Sequence, residues 1–138
     1  MPALNTYLVE DSAVVRGNLT SVLEELVPIA VVGTADDEAT AVNWLKQQIS
    51  CPDLLIVDIF LKQGSGLGVL RAAQALAPRL AVVVLTNFAT PEMNRKCLEL
   101  GAARVFDKSN ELAELVNYCN QLAGRNVESL AAVGLELL

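Results

Sequence analysis

The sequence predicts an α/β chain in which five strands and five helices alternate to build a doubly wound parallel sheet with helices on both faces. Three observations predict it. Short apolar runs recur without polar alternation: Tyr7-Leu8-Val9, Ile29-Ala30-Val31-Val32, Leu54-Leu55-Ile56-Val57, Leu80–Leu85 and Val105-Phe106. Strands buried on both faces look like this. Between the runs lie stretches with apolar residues at helical spacing, long enough to cross over between parallel strands. Most of the runs also end on acidic or hydroxyl residues, which mark where each strand leaves the core.

The first strand ends at Glu10-Asp11, and Ser12 then caps a helix carrying Val15, Leu19, Val22, Leu23 and Leu26 at core spacing until Pro28 breaks it. The second strand stops at Gly33. A second helix opens near Asp36-Asp37-Glu38, where acids suit the positive end of the helix dipole, and turns Ala41, Val42, Leu45 and Ile49 inward. Pro52-Asp53 introduces the third strand, which delivers Asp58. Gly64-Ser65-Gly66 makes a turn, and the third helix runs through Leu67, Leu70 and Leu76 to Pro78. The fourth strand, the most apolar stretch of the chain, ends at Thr86. Thr90-Pro91-Glu92 is an N-cap with proline in the first turn, opening a helix that ends at Gly101. The fifth strand delivers Asp107-Lys108. Ser109 then caps a helix with Leu112, Leu115, Val116, Cys119, Leu122 and Ala123 facing the core.

Bulk composition narrows the function. A chain of 138 residues, 53% apolar, suits one domain with a good core. Its net charge of −6 and pI near 4.5 argue against a nucleic-acid surface of its own. No basic-then-apolar leader and no membrane-length apolar run is visible, so the expected location is cytoplasmic, with no membrane partner. Cys51, Cys97 and Cys119 are odd in number and widely spaced, which suits free thiols rather than a disulfide framework or a zinc site. Histidine is absent, which removes His-dependent triads and any phosphohistidine carried by this chain.

In a parallel sheet Glu10, Asp11, Asp58, Thr86 and Lys108 fall at carboxyl ends of strands, on one rim, where open α/β sheets bind ligands. Like charges about 4 Å apart cost about 4 kcal/mol at an effective dielectric near 20. A hard divalent cation relieves that repulsion, and an all-oxygen, carboxylate-rich cluster suits Mg²⁺. Lys108 supplies a compact positive charge, and Thr86 a hydroxyl donor. A carboxylate nucleophile, a metal, a cation and a hydroxyl are the parts that phosphoryl transfer to an aspartate requires.

Leu8-Val9-Glu10-Asp11-Ser12, Leu55-Ile56-Val57-Asp58, Thr86 and Phe106-Asp107-Lys108, in this order and spacing, resemble the receiver domain of two-component response regulators over roughly residues 5–123. The overall likeness is to a stand-alone, chemotaxis-regulator-like receiver. The resemblance implies a flavodoxin-like strand order 2-1-3-4-5, with Asp58 as phosphoacceptor and Mg²⁺ held by Glu10 (through water), Asp11, Asp58 and the Phe60 carbonyl. It further implies Lys108 on a phosphoryl oxygen, and Thr86 and Phe106 as a switch pair whose ring turns inward. The implied partners are a sensor histidine kinase or histidine phosphotransfer protein and a downstream protein target. No activity beyond self-directed phosphoryl transfer and aspartyl-phosphate hydrolysis is implied, in a monomer or weak homodimer. The family's docking surface includes the region of Arg95, Lys96 and Arg104.

Some positions depart from the family pattern. Lys62 replaces a usual proline, which suggests a looser loop 62–66. Asn87 stands where a small residue is common, and Ser109 where proline is usual. Two other readings compete: a receiver-fold docking module that never uses phosphate, or the receiver half of a truncated DNA-binding regulator. An aspartate-nucleophile phosphatase fails, because Phe60 stands where the second acid is needed. The receiver unit is expected over 1–123. Gly124 to Asn126 resembles a helix stop, and 124–138 is expected to form an apolar tail, as a short packed helix or a truncated linker.

Overall fold

The computed structural model describes residues 3–47 and 52–126. Its elements alternate strictly: β1 (Leu4–Val9), α1 (Ala13–Leu26), β2 (Ile29–Ala35), α2 (Glu38–Gln47), β3 (Leu54–Val57), α3 (Gly66–Leu76), β4 (Ala81–Thr86), α4 (Pro91–Glu99), β5 (Arg104–Asp107) and α5 (Leu112–Asn126). The five strands pair in parallel, as the apolar runs predict, in the order β2-β1-β3-β4-β5 that the resemblance implies.

Neighbouring residues of the central strands feed opposite cores, as the pleat requires. Leu55 and Val57 join Tyr7, Val9, Val82 and Val84 on the face covered by α2, α3 and α4. Leu54 and Ile56 join Leu8, Val83, Leu85 and Phe106 on the face covered by α1 and α5. Such two-sided burial explains the unbroken apolar runs.

The predicted caps of the first and fourth helices are built as the sequence indicates, and Ser65, expected only in a turn, also caps the third. The side chains of Ser12, Ser65 and Thr90 accept from the N–H groups of Val15, Leu67 and Met93 at 3.2, 3.0 and 3.2 Å. The fifth is not. Ser109 does not cap α5; the Asp107 carboxylate instead accepts from Ser109 N–H (2.7 Å) and Asn110 N–H (3.2 Å), which makes a turn before the helix.

Other details also differ from expectation. β2 runs through Gly33 to Ala35, because Gly33 pairs with Tyr7 and lies against its ring rather than ending the strand. Leu26 and Leu76 point outward at 56% and 47% exposure, being the last residues of their helices, while Val69 and Ala73 are buried in α3. α5 continues past Gly124 to Asn126. The places expected for Ile49, Cys51 and the tail after Asn126 lie outside the described residues.

Candidate functional site

The rim residues are fixed first by backbone. The ladder bonds continue past the strand ends: Glu10 N–H donates to Ala35 O (2.9 Å), Asp58 N–H to Val9 O (2.9 Å) and Lys108 N–H to Thr86 O (2.8 Å). Each of the three side chains therefore leaves a strand end held by its neighbour strand, and all converge at one place.

Lys108 Nζ lies 2.8 Å from Asp58 Oδ2 and also pairs with Glu10 Oε1. The second oxygens are engaged by backbone: Glu10 Oε2 accepts from Ser12 N–H at 3.0 Å and Asp58 Oδ1 from Phe60 N–H at 3.3 Å. Glu10 and Asp58 are buried, at 2% and 6% exposure, while Asp11 is half-buried beside them. Carboxylate oxygens of Glu10, Asp11 and Asp58 lie within 4.8 Å of one another.

One ammonium facing two buried carboxylates leaves the charges unequally served. Burial pulls the Lys108 ammonium down, but its bonds to Asp58 and Glu10 outweigh this and hold it above the ordinary lysine value. Burial pushes the Glu10 carboxyl above its ordinary value, against the lowering by Lys108 and by Ser12 N–H, with the Asp58 charge adding to the rise. The cluster is short of positive charge. A small hard cation with oxygen ligands fits that donor set.

A cleft of about 270 Å³ opens over the cluster, lined by Glu10, Asp11, Asp58, Lys108, Asn87 and the rings of Phe60 and Phe88. Those rings meet edge to face, with centroids 4.8 Å apart. Ser109 Oγ reaches Asn87 Oδ1 at 3.5 Å, so two of the unusual positions touch at the cleft's edge.

Thr86 is fully buried, and its Oγ1 accepts from Phe88 N–H at 3.2 Å. Phe106, in register with Leu85, is 1% exposed and already points into the core. The Arg104 guanidinium covers its ring at 4.9 Å. Arg95 and Lys96 are exposed on α4.

Some contributors escaped the sequence reading. Arg16 Nη1 donates to the Glu10 carbonyl at 2.6 Å, one helical turn after the Ser12 cap, and so ties α1 to the rim. Phe88 stands two residues past Thr86 and lines the cleft, and an aromatic just beyond a strand end is the one signal the sequence offers for it.

A family model for the response regulator receiver domain matches residues 6–120. The chain belongs to that family. This receiver is similar to a protein-glutamate methylesterase/protein-glutamine glutaminase of Anaeromyxobacter dehalogenans, at 37% identity over 107 residues, 76% of this chain and 29% of that protein. The chain thus spans less than a third of that relative's length. The receiver domain of a NarL response regulator from Mycobacterium tuberculosis superposes with a TM-score of 0.78 at 23% identity, covering 89% of this chain and 98% of that one. The response regulator domain of Thermotoga maritima CheB superposes with a TM-score of 0.73 at 21% identity, covering 86% and 97%. No helix among the described residues is long and apolar enough to cross a membrane.

Proposed function

We propose that this receiver is a phosphorylation-controlled relay in which Asp58 accepts a phosphoryl group from a phosphohistidine on a sensor histidine kinase or histidine phosphotransfer protein. The observation that carries the reading is Lys108 Nζ at 2.8 Å from Asp58 Oδ2, inside a cleft lined by two further carboxylates. An Asp58 oxygen attacks phosphorus, the P–N bond of the donor breaks, and the leaving imidazole takes a proton. Lys108 meets the charge that accumulates on the phosphoryl oxygens, which is where most catalysis of such transfers lies. Glu10, Asp11, Asp58 and the Phe60 carbonyl would hold Mg²⁺, and a bound Mg²⁺ supplies charge neutralisation for the carboxylates and the incoming phosphoryl group. Phe60 and Phe88 form an apolar wall on one side of the cleft.

The switch follows from Thr86 and Phe106. Phe106 points into the core, and Thr86, whose Oγ1 accepts from Phe88 N–H, would donate its hydroxyl proton to a phosphoryl oxygen, so the response rests on the turning of that hydroxyl. That turning would shift the loop after β4, which is bonded to Thr86 through Phe88 N–H and leads into α4. The readout is a protein contact on the side of α4 and β5, where Arg95, Lys96 and Arg104 are exposed.

Incubation with a small acyl phosphate and Mg²⁺, followed by intact mass measurement, tests the reading. One phosphoryl adduct on the wild-type chain and none on Asp58→Asn is the expected result. Absence of an adduct on the wild type favours the phosphate-independent docking module.

A further inference from the structure

The loop that carries Phe60 is gripped from an unexpected direction. Ser65 caps α3, and in a capping box the third helical residue supplies a Glu or Gln that reaches back to the cap's own N–H. Here that residue is Gly68, which has no side chain. Glu38, in the first turn of α2, takes its place. Its Oε1 accepts from Ser65 N–H at 2.9 Å, and its own N–H donates to Gln63 O at 3.2 Å. A Cβ on Gly68 would stand 2.2 Å from Glu38 Oε2, and one on Gly64 would stand 2.5 Å from Glu38 Cβ. The two glycines leave the space that the Glu38 side chain fills.

From this grip the path to the rim is short. Ser65 bridges Phe60 across the loop, and Gly66 N–H donates to Ile59 O at 2.8 Å. Gly66 packs so closely that a Cβ on it would stand 2.2 Å from Asp58 O. Lys62, where the family usually has proline, therefore does not leave the loop unrestrained; α2 restrains it instead.

We propose that Glu38 is a positioning residue for the metal site: by completing the α3 cap from α2 it fixes the loop that presents the Phe60 carbonyl. The inference rests on the reading of Glu10, Asp11, Asp58 and Phe60 as the Mg²⁺ ligands. Glu38 touches neither metal nor phosphoryl group and acts only through Ser65 and Phe60.

Three variants of the full chain test it, each titrated calorimetrically with Mg²⁺ alone and melted without metal. Gly68→Ala evicts the carboxylate from its seat without altering Glu38, while alanine's helix propensity favours α3. It should weaken Mg²⁺ binding severalfold, as loss of support behind a metal ligand commonly does, while the helix propensity gained by alanine largely offsets the lost cap bond in the metal-free melting temperature. Glu38→Ala should weaken binding to the same extent, and Glu38→Gln, whose amide oxygen still accepts from Ser65 N–H, should retain most of it. Amide exchange at Phe60 and Ser65 should quicken in Gly68→Ala. Wild-type Mg²⁺ affinity in both Gly68→Ala and Glu38→Ala overturns the proposal while leaving the metal reading intact. A wild-type chain that binds no Mg²⁺ overturns the metal reading, and this proposal with it. Should Glu38→Ala fail to fold, Gly68→Ala decides alone.

Discussion

Lys108 shows how one side chain can matter for both stability and chemistry. Among the described residues it is the cation that touches both Asp58 and Glu10, and each of these is nearly inaccessible to water. Removing one partner of a buried ionic set leaves the others uncompensated, at a cost of about 3 kcal/mol or more. Lys108→Ala is therefore expected to lower metal-free stability at neutral pH by about 3 kcal/mol in urea titrations. Glu10 tests the same imbalance from the other side. Its carboxyl is raised in the fold by burial, so its contribution to stability is present below the ordinary carboxylate value and is lost as pH rises through the folded value. Glu10→Gln should accordingly stabilise the metal-free protein at neutral pH, with the gain vanishing in acid. Tyr7 sets the alkaline limit. Burial, helped by Asp37, pushes its hydroxyl up to about 12, and that hydroxyl donates to Thr34 O at 3.2 Å. The neutral phenol is favoured by the fold, so its stabilisation is complete below pH 10 and lost between about 10 and 12, amounting to about 2–3 kcal/mol. Comparing wild type with Tyr7→Phe across that window isolates the effect. The buried Cys97 and Cys119 thiols are both pushed up by burial, Cys119 to about 12, which makes them poor nucleophiles at neutral pH.

Among the elements, β2 carries the clearest lesson. Gly33 lies under the Tyr7 ring, which itself stacks on Trp44 with centroids 3.8 Å apart. A Cβ there would stand 2.8 Å from Tyr7 Cε1 and 3.3 Å from Trp44 Nε1. Gly33→Ala should cost about 1–3 kcal/mol through overpacking, with a changed Trp44 emission, while Asp58 still accepts phosphate. A glycine after an apolar run looks like a stop, because nothing nearby in sequence announces the ring that excludes a side chain. The strands themselves were legible because two-sided burial leaves no room for polar alternation, and the rim because Asp58 and Glu10 had nowhere else to stand. Local choices between neighbouring polar residues were less legible. Asp107 and Ser109 both suit a turn, and only the fold decides that Asp107 accepts the two N–H bonds. The Glu38 grip was hidden for a different reason: the missing cap acceptor at Gly68 is supplied by another helix, and no spacing rule connects them.

For the molecule as a whole, metal and charge set which variant is more stable. The chain carries a net charge of −6, and three of its carboxylates crowd one cleft. Lys108 spans Glu10 and Asp58, whereas Asp11 is half-buried beside them and adds repulsion in the absence of a cation. Asp11→Ala should therefore raise the metal-free stability by about 1 kcal/mol, the size of a like-charge contact near water. For a chain of this length that is a gain of about 4 °C in Tm. Mg²⁺ should reverse the order. A ligand that binds only the folded state at a hundred times its Kd stabilises by about 2.7 kcal/mol, so the wild type should gain roughly 10 °C. Asp11→Ala, having lost a proposed ligand, should gain far less at the same concentration. The wild type thus melts below the variant without Mg²⁺ and above it with Mg²⁺ in excess. Two thermal scans of each protein check the crossing, and parallel shifts in both proteins would place the cation somewhere other than Glu10, Asp11 and Asp58.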